Sequence, residues 1–237
     1  MQLFKRFSLH TLLAALTLAL GLAAPVFAGI NRWTSNGPDG GEVSAFVMDP
    51  KVPSTLYATA THGGLYKSVD AAATWRLLSP DRIQVLAVDP VTTATIYANG
   101  EVGVVKSTDA GETWQGVGLE GAIAIVVDPR DHTTVYACVS GAFDSRGVYK
   151  SLDGGATWSH LTGLPRPPLG NAEDLAMDAA HPDVLYSFGE GLSAVRVYRS
   201  ADGGATWNPA GNLGDGVHAI RISVDPANSS VYVASDQ

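Results

Sequence analysis

Ser151-Leu152-Asp153-Gly154-Gly155-Ala156-Thr157-Trp158 is one of four copies of a single frame, Ser-x-Asp-x-Gly-x-Thr-Trp. The others begin at Ser68 (Asp70, Thr74, Trp75), Ser107 (Asp109, Gly111, Thr113, Trp114) and Ser200 (Asp202, Gly204, Thr206, Trp207), and the first of these carries Ala72 where the rest have Gly. Asp70, Asp109, Asp153 and Asp202 are spaced 39, 44 and 49 residues apart, the kind of interval that marks a structural repeat. Each copy follows a short apolar segment ending in Lys or Arg: Leu65-Tyr66-Lys67, Val104-Val105-Lys106, Val148-Tyr149-Lys150 and Val197-Tyr198-Arg199. The local order is therefore strand, tight turn, strand. The Asp is expected to accept hydrogen bonds from backbone N–H groups of the turn, and the Gly to take a positive φ without a Cβ clash. The Trp ring is expected to pin the turn onto the sheet, so that Trp158→Ala costs about 3–5 kcal/mol, as large aromatic truncations in a core do.

Three further signals accompany each turn. An apolar strand ends in Asp: Ala45–Asp49, Val85–Asp89, Ile125–Asp128, Leu175–Asp178 and Ile222–Asp225. Nearly continuous apolarity predicts burial on both faces. Pro50, Pro90, Pro129 and Pro226 follow these aspartates, with Ala179 as the departure, and Asp-Pro presets a turn. A second strand then centres on Tyr57, Tyr97, Tyr136, Tyr186 and Tyr232. Four strands in about 40–50 residues match the blade of a β-propeller. The expected fold is all-β: a propeller with four complete four-stranded blades and a partial fifth, over residues 29–237.

The repeated turns resemble the Asp-box, or bacterial neuraminidase repeat. It is found in sialidases, xyloglucan-cleaving hydrolases, sortilin-type receptors and a photosystem II assembly factor. The resemblance implies that Asp70, Trp75, Asp109, Trp114, Asp153, Trp158, Asp202 and Trp207 are structural, at the rim of the propeller and away from the ligand. It says little about activity, because one fold hosts many.

Residues 1–28 read as a secretory signal peptide, with Lys5 and Arg6 before an apolar run from Leu12 to Ala24, and Val26-Phe27-Ala28 before Gly29 as the cleavage site. A secreted or periplasmic location is expected, without membrane attachment after cleavage. Removing this segment leaves 13 basic against 23 acidic side chains, a net charge of −10. That balance argues against nucleic acid as a partner. Cys138 is the sole cysteine, so no internal disulfide can form, and its place in an apolar strand predicts burial as a small hydrophobe. No clustered His or Cys set has metal spacing and no phosphate-cradling Gly loop stands between a strand and a helix, so neither metal nor cofactor is expected.

If the strands of each unit are lettered A to D, the A–B and C–D turns share one end of the blade. The B–C loops and the D–A crossings share the other. The first end is repetitive in sequence and the second is not, and variable loops on a rigid scaffold are where binding resides. The second end holds the candidate ligand-binding residues Phe143, Asp144, Arg146, Arg166, Phe188, Glu190 and Arg196. Aromatic platforms flanked by polar groups suit a glycan or a protein segment. A sialidase would be similar in an Arg-Ile-Pro motif ahead of the first turn and in a Tyr nucleophile. Here Arg82-Ile83-Gln84 lies after that turn, and every Tyr occupies a repeat position. The expected function is a non-catalytic binding or assembly module; the alternative is a carboxylate-pair glycoside hydrolase of the xyloglucan-cleaving kind, whose carboxylate separation sequence spacing does not reveal. Arg32-Trp33-Thr34 reads as a lone D strand, and the fifth unit offers strands A and B. An open arc that self-associates through its free blade edges is expected.

Overall fold

The computed structural model describes residues 37–38, 42–79, 81–101, 103–140, 145–163, 172–190, 195–214 and 217–236. Residues 1–28, for which a signal peptide is expected, and the Trp33 segment lie outside these residues, as do Phe143, Asp144 and Arg166. Four antiparallel sheets, each of four strands in sequence order, follow one another. Blade 1 comprises β1 (Val43–Met48), β2 (Leu56–Ala60), β3 (Leu65–Ser68) and β4 (Arg76–Ser79); blade 2 comprises β5 (Val85–Val88), β6 (Ile96–Gly100), β7 (Gly103–Ser107) and β8 (Gln115–Gly116). Blade 3 is β9 (Ala122–Val127), β10 (Val135–Val139), β11 (Gly147–Ser151) and β12 (Ser159–Leu161). Blade 4 is β13 (Asp174–Met177), β14 (Leu185–Glu190), β15 (Val195–Ser200) and β16 (Asn208–Asn212), and a fifth sheet pairs β17 (His218–Val224) with β18 (Val231–Asp236). These are propeller blades, in the all-β arrangement the repeat predicts.

The repeated turn is a closed hydrogen-bond unit. In each copy the Ser hydroxyl donates to the Asp carboxylate at 2.7–2.8 Å and accepts the N–H four residues on at 2.8–2.9 Å. The same carboxylate oxygen, Oδ1, also accepts the Thr backbone N–H at 2.8–2.9 Å, and Oδ2 accepts the Thr hydroxyl at 2.5–2.6 Å. The Ser, Asp and Thr of the frame thus have their partners inside the turn, which explains why Ser and Thr recur with Asp. The Gly at the fifth position sits at φ 91°, 94° and 88° in the last three copies, and Ala72 is forced to φ 69° in the first. An L-residue in this region costs about 1–2 kcal/mol. Ala72→Gly is therefore expected to stabilise the protein by roughly 1 kcal/mol, read as a higher urea midpoint; an unchanged or lower midpoint would contradict the strain.

Hydrogen bonding by the Thr side chain and backbone, with the Ser hydroxyl, lowers the pKa of Asp70, Asp109, Asp153 and Asp202 to about 2. A carboxylate depressed on folding stabilises the native state above its unfolded pKa of about 3.9. That stability disappears as pH falls through the folded value. Four such groups act together, whereas burial raises Asp174 and works in the opposite sense. The urea midpoint should therefore fall steeply between about pH 4 and pH 2, less steeply in Asp109→Asn; a flat wild-type profile there would refute the assignment.

The core lies in the seams between consecutive blades. Tyr57, Leu65, Leu86 and Ile96 fill the first with Val88 and Trp114 at its margin, and Tyr97, Val104, Ile125 and Val135 fill the second with Trp158 at its margin. Tyr136, Cys138, Leu175, Leu185 and Trp207 fill the third, while Phe188, Val195, Val197 and Ile222 join blade 4 to the fifth sheet. Cys138 is fully buried, which pushes its thiol pKa up. A latch crosses each of the first three seams at the repeated turn. Tyr57 and Lys67 donate to the Ala110 carbonyl at 3.4 and 3.3 Å, Tyr97 and Lys106 to that of Gly154, both at 3.0 Å, and Tyr136 to that of Gly203 at 3.2 Å. The ammonium groups of Lys67, Lys106 and Lys150 also lie 5.1–5.3 Å over the rings of Tyr57, Tyr97 and Tyr136.

Burial on both faces holds for the middle A strands, β9 and β13, but not for β1, where Phe46 and Met48 are 57% and 51% exposed. Ala45 and Val47 turn toward blade 2, and among the described residues no sheet covers the other face of β1.

Candidate functional site

Away from the repeated turns, the A strands converge. Their C-terminal aspartates each fold back as a turn acceptor: Asp49, Asp89, Asp128, Asp178 and Asp225 receive the backbone N–H two residues on at 2.8–3.0 Å. Counting back four residues from these acceptors gives Ala45, Val85, Ala124, Asp174 and Arg221, and counting back three gives Phe46, Leu86, Ile125, Leu175 and Ile222. These two tiers, with Val47, line a single axial cavity of about 250 Å³. The upper tier stands toward the variable end, where the B–C loops and D–A crossings meet. The volume is below the ~300–1,000 Å³ of most small-molecule pockets and fits one or two inserted side chains better than a whole cofactor.

In a lining otherwise aliphatic or aromatic, Asp174 and Arg221 supply the polar groups. Asp174 is 3% exposed. Its carboxylate accepts the N–H of Leu175 at 2.9 Å and the N–H of Ile222 at 2.9 Å, and lies 3.7 Å from the Arg221 guanidinium. Burial holds its pKa above the ordinary carboxylate value, opposed by those two N–H groups and by Arg221. The Ser187 hydroxyl donates to the Asp174 carbonyl at 2.8 Å. Asp174 therefore ties the start of β13 to β14 and to β17, and it leaves the more exposed Arg221 as the charge offered to the cavity mouth.

The residues selected from sequence divide accordingly. Arg146 is partly exposed at the start of β11; its carbonyl lies 3.1 Å from a ring nitrogen of His160, which stacks on Tyr149 at 4.7 Å. Tyr149 in turn donates to the Ser145 carbonyl at 3.0 Å, so this loop stands on a braced aromatic pair. Arg196 is exposed near the start of β15. Glu190 ends β14, and its side chain lies outside the described residues. Phe188 requires a correction. At 1% exposure it packs between blade 4 and the fifth sheet against Ala176, Val197 and Ile222, so it is core and not an aromatic platform. It stands two residues after Tyr186 and so shares that residue's face, as Thr59 does after Tyr57 and Cys138 after Tyr136.

Sequence reasoning passed over both Asp174 and Arg221. The signal was present: at the position four before the turn aspartate, three units carry Ala or Val and two carry opposite charges.

Neither a family model nor a curated protein matches the sequence. Solved structures do match. An ancestral GH74 enzyme is similar with a TM-score of 0.65 at 20% identity, over 81% of this chain and 28% of that one. The GH74 xyloglucanase from Xanthomonas campestris gives 0.64 at 18% identity, over 81% of this chain and 35% of its own. YCF48 bound to D1 peptide gives 0.56 at 13% identity, over 82% and 60%. This chain thus spans about a third of the length of the two GH74 structures, and identities this low show the shared propeller fold alone.

Proposed function

We propose that this chain is a non-catalytic propeller module that binds a segment of another protein, seating side chains in the axial cavity from the variable end. We further propose that it acts after export, in the periplasm or outside the cell, with its repeated turns serving as Asp-boxes that hold the scaffold. The observation that carries the reading is the chemistry of the cavity. Its wall is mostly aliphatic, as a pocket for a peptide side chain requires, and Arg221 at the mouth can meet a carbonyl or carboxylate. The peptide held by YCF48, a structure of similar fold, supports the same direction.

Glycoside hydrolysis is the second reading, favoured by the likeness to the GH74 structures. It requires two carboxylates, roughly 6.5–9.5 Å apart in an inverting enzyme. Among the described lining residues Asp174 is the single carboxylate, and its oxygens are already engaged by two backbone N–H groups.

Selection of a random peptide display library on the immobilised chain tests the proposal, alongside incubation with xyloglucan and assay of reducing ends. Peptides with an aliphatic anchor should be enriched and should bind Arg221→Ala roughly tenfold more weakly, a loss of about 1.4 kcal/mol, with the thermal melt unchanged. Failure to enrich any peptide, together with xyloglucan cleavage that Asp174→Asn abolishes, would establish the second reading instead.

A further inference from the structure

The register of the A strands decides which of their amides are spare. In an antiparallel pair, residues that exchange hydrogen bonds alternate with residues that do not. The Asp89 N–H donates to the Thr95 carbonyl at 2.9 Å, and the Asp128 N–H to that of Thr134 at 3.0 Å. Counting back from these along the paired residues, the amide of Leu86 turns away from β6 and that of Ile125 turns away from β10. The same count from Asp178, which donates to Val184, and from Asp225, which donates to Ser230, turns out the amides of Leu175 and Ile222. Each A strand is the edge of its sheet, and all four residues line the axial cavity.

Between blade 4 and the fifth sheet these amides are answered from within. Asp174 stands one residue before Leu175; its Oδ1 accepts the Leu175 N–H and its Oδ2 the Ile222 N–H of the next A strand, both at 2.9 Å. The carboxylate thus bridges two neighbouring A strands, one oxygen to each. Between blades 2 and 3 the same two donors are present, on Leu86 and Ile125, but the residue in the place of Asp174 is Val85, which offers no acceptor. The strands are as close there, since Val85 packs with Ile125 in the second seam. Leu86 and Ile125 are both buried, and among the described residues neither amide has an acceptor. Amides in such a setting favour any ligand that supplies one.

We infer that the amides of Leu86 and Ile125 form a carboxylate slot, and that the protein segment received by the axial cavity places an Asp or Glu side chain in it; this rests on the peptide-binding reading above. The ligand carboxylate bridges β5 and β9 as Asp174 bridges β13 and β17. Its two oxygens match two donors on neighbouring strands, and an ionised acceptor makes each bond about twice as strong as a neutral amide oxygen does. A side chain is the occupant because the internal example is one, reaching in from a continuing strand. Asp174 would repel a second anion in the same cavity, but Arg221 lies 3.7 Å from that carboxylate and offsets its charge. A volume of about 250 Å³ then holds the acidic side chain and one aliphatic neighbour together.

Synthetic peptides copied from the display-selected sequences, with amidated C-termini, are the probe. The selected sequences should carry Asp or Glu beside the aliphatic anchor, and exchanging that residue for Asn or Gln should weaken binding roughly tenfold. On the 15N-labelled chain the acidic peptide should move the Leu86 and Ile125 amide protons downfield, and its neutral version should not. Val85→Asp should supply the carboxylate from within, as Asp174 does, and so cost the acidic peptide roughly tenfold in affinity while its neutral version is unaffected. Circular dichroism checks that this variant folds; if it does not, the comparison of acidic and neutral peptides on the wild-type chain decides alone. Peptides that bind equally well in neutral form, or that leave both amides unmoved, would overturn the slot and leave the peptide-binding reading standing. Binding that requires a free C-terminal carboxylate instead would overturn it in favour of a chain end. Failure to enrich any peptide would overturn the reading itself, and the slot with it.

Discussion

Replacing Trp207 by alanine is expected to cost about 3–5 kcal/mol, the range for truncating a large buried aromatic. The ring is 5% exposed and sits in the third seam with Tyr136, Leu175 and Leu185, and its indole N–H donates to the Gly204 carbonyl at 3.1 Å. The substitution therefore removes the seam's largest side chain and a turn hydrogen bond together. Little can collapse into the gap, because the strands on both sides are fixed by their own ladders. Trp158 donates instead across the seam, to the Val117 carbonyl just after β8 at 3.2 Å, and is only half-buried at the margin of the second seam. Its truncation belongs below the range expected from sequence. Trp75 contributes to none of the four seams and should be the least costly of the set. Urea titrations of the three variants check the order Trp207 > Trp158 > Trp75; equal costs would show that the turn, and not the seam, is what the indole supports.

Asp174→Ala is the second large effect, expected at about 2–4 kcal/mol from two buried N–H groups left without acceptors. The Leu175 and Ile222 amides both rely on this carboxylate, and the second belongs to a strand 48 residues away in sequence. Some of the loss is returned because the buried charge itself is unfavourable, as its raised pKa indicates. The damage should be local. Hydrogen exchange should accelerate in β17 and β18 while the amides of β5–β7 keep their protection. Uniform acceleration across all blades would mean that the fifth sheet is not separately held.

How much of this was legible in the chain depends on whether a signal repeats. The turn geometry and the aspartate acceptors after the A strands follow from residues that recur in register, and each of those expectations has hydrogen bonds behind it. Phe188 was misread because it was judged by its loop and not by its register with Tyr186; a period of two from that Tyr places it inside. Asp174 and Arg221 were passed over for the opposite reason. They break the apolar pattern of the A strand, and only the convergence of five strands on one axis turns two isolated exceptions into a pair. The latch was invisible because it joins a Tyr and a Lys in one blade to a carbonyl in the next, and a backbone acceptor has no sequence signature.

The central claim is a division of labour between the two ends of the propeller, with repeated turns holding the scaffold and the variable end receiving the ligand. Hydrogen–deuterium exchange of the chain with and without a saturating display-selected peptide tests it most directly. The predicted result is protection around Val85, Ala124, Asp174–Leu175 and Arg221–Ile222, with none in the turns at 107–114, 151–158 and 200–207. Protection concentrated in those turns, with the A-strand starts unchanged, would contradict the account.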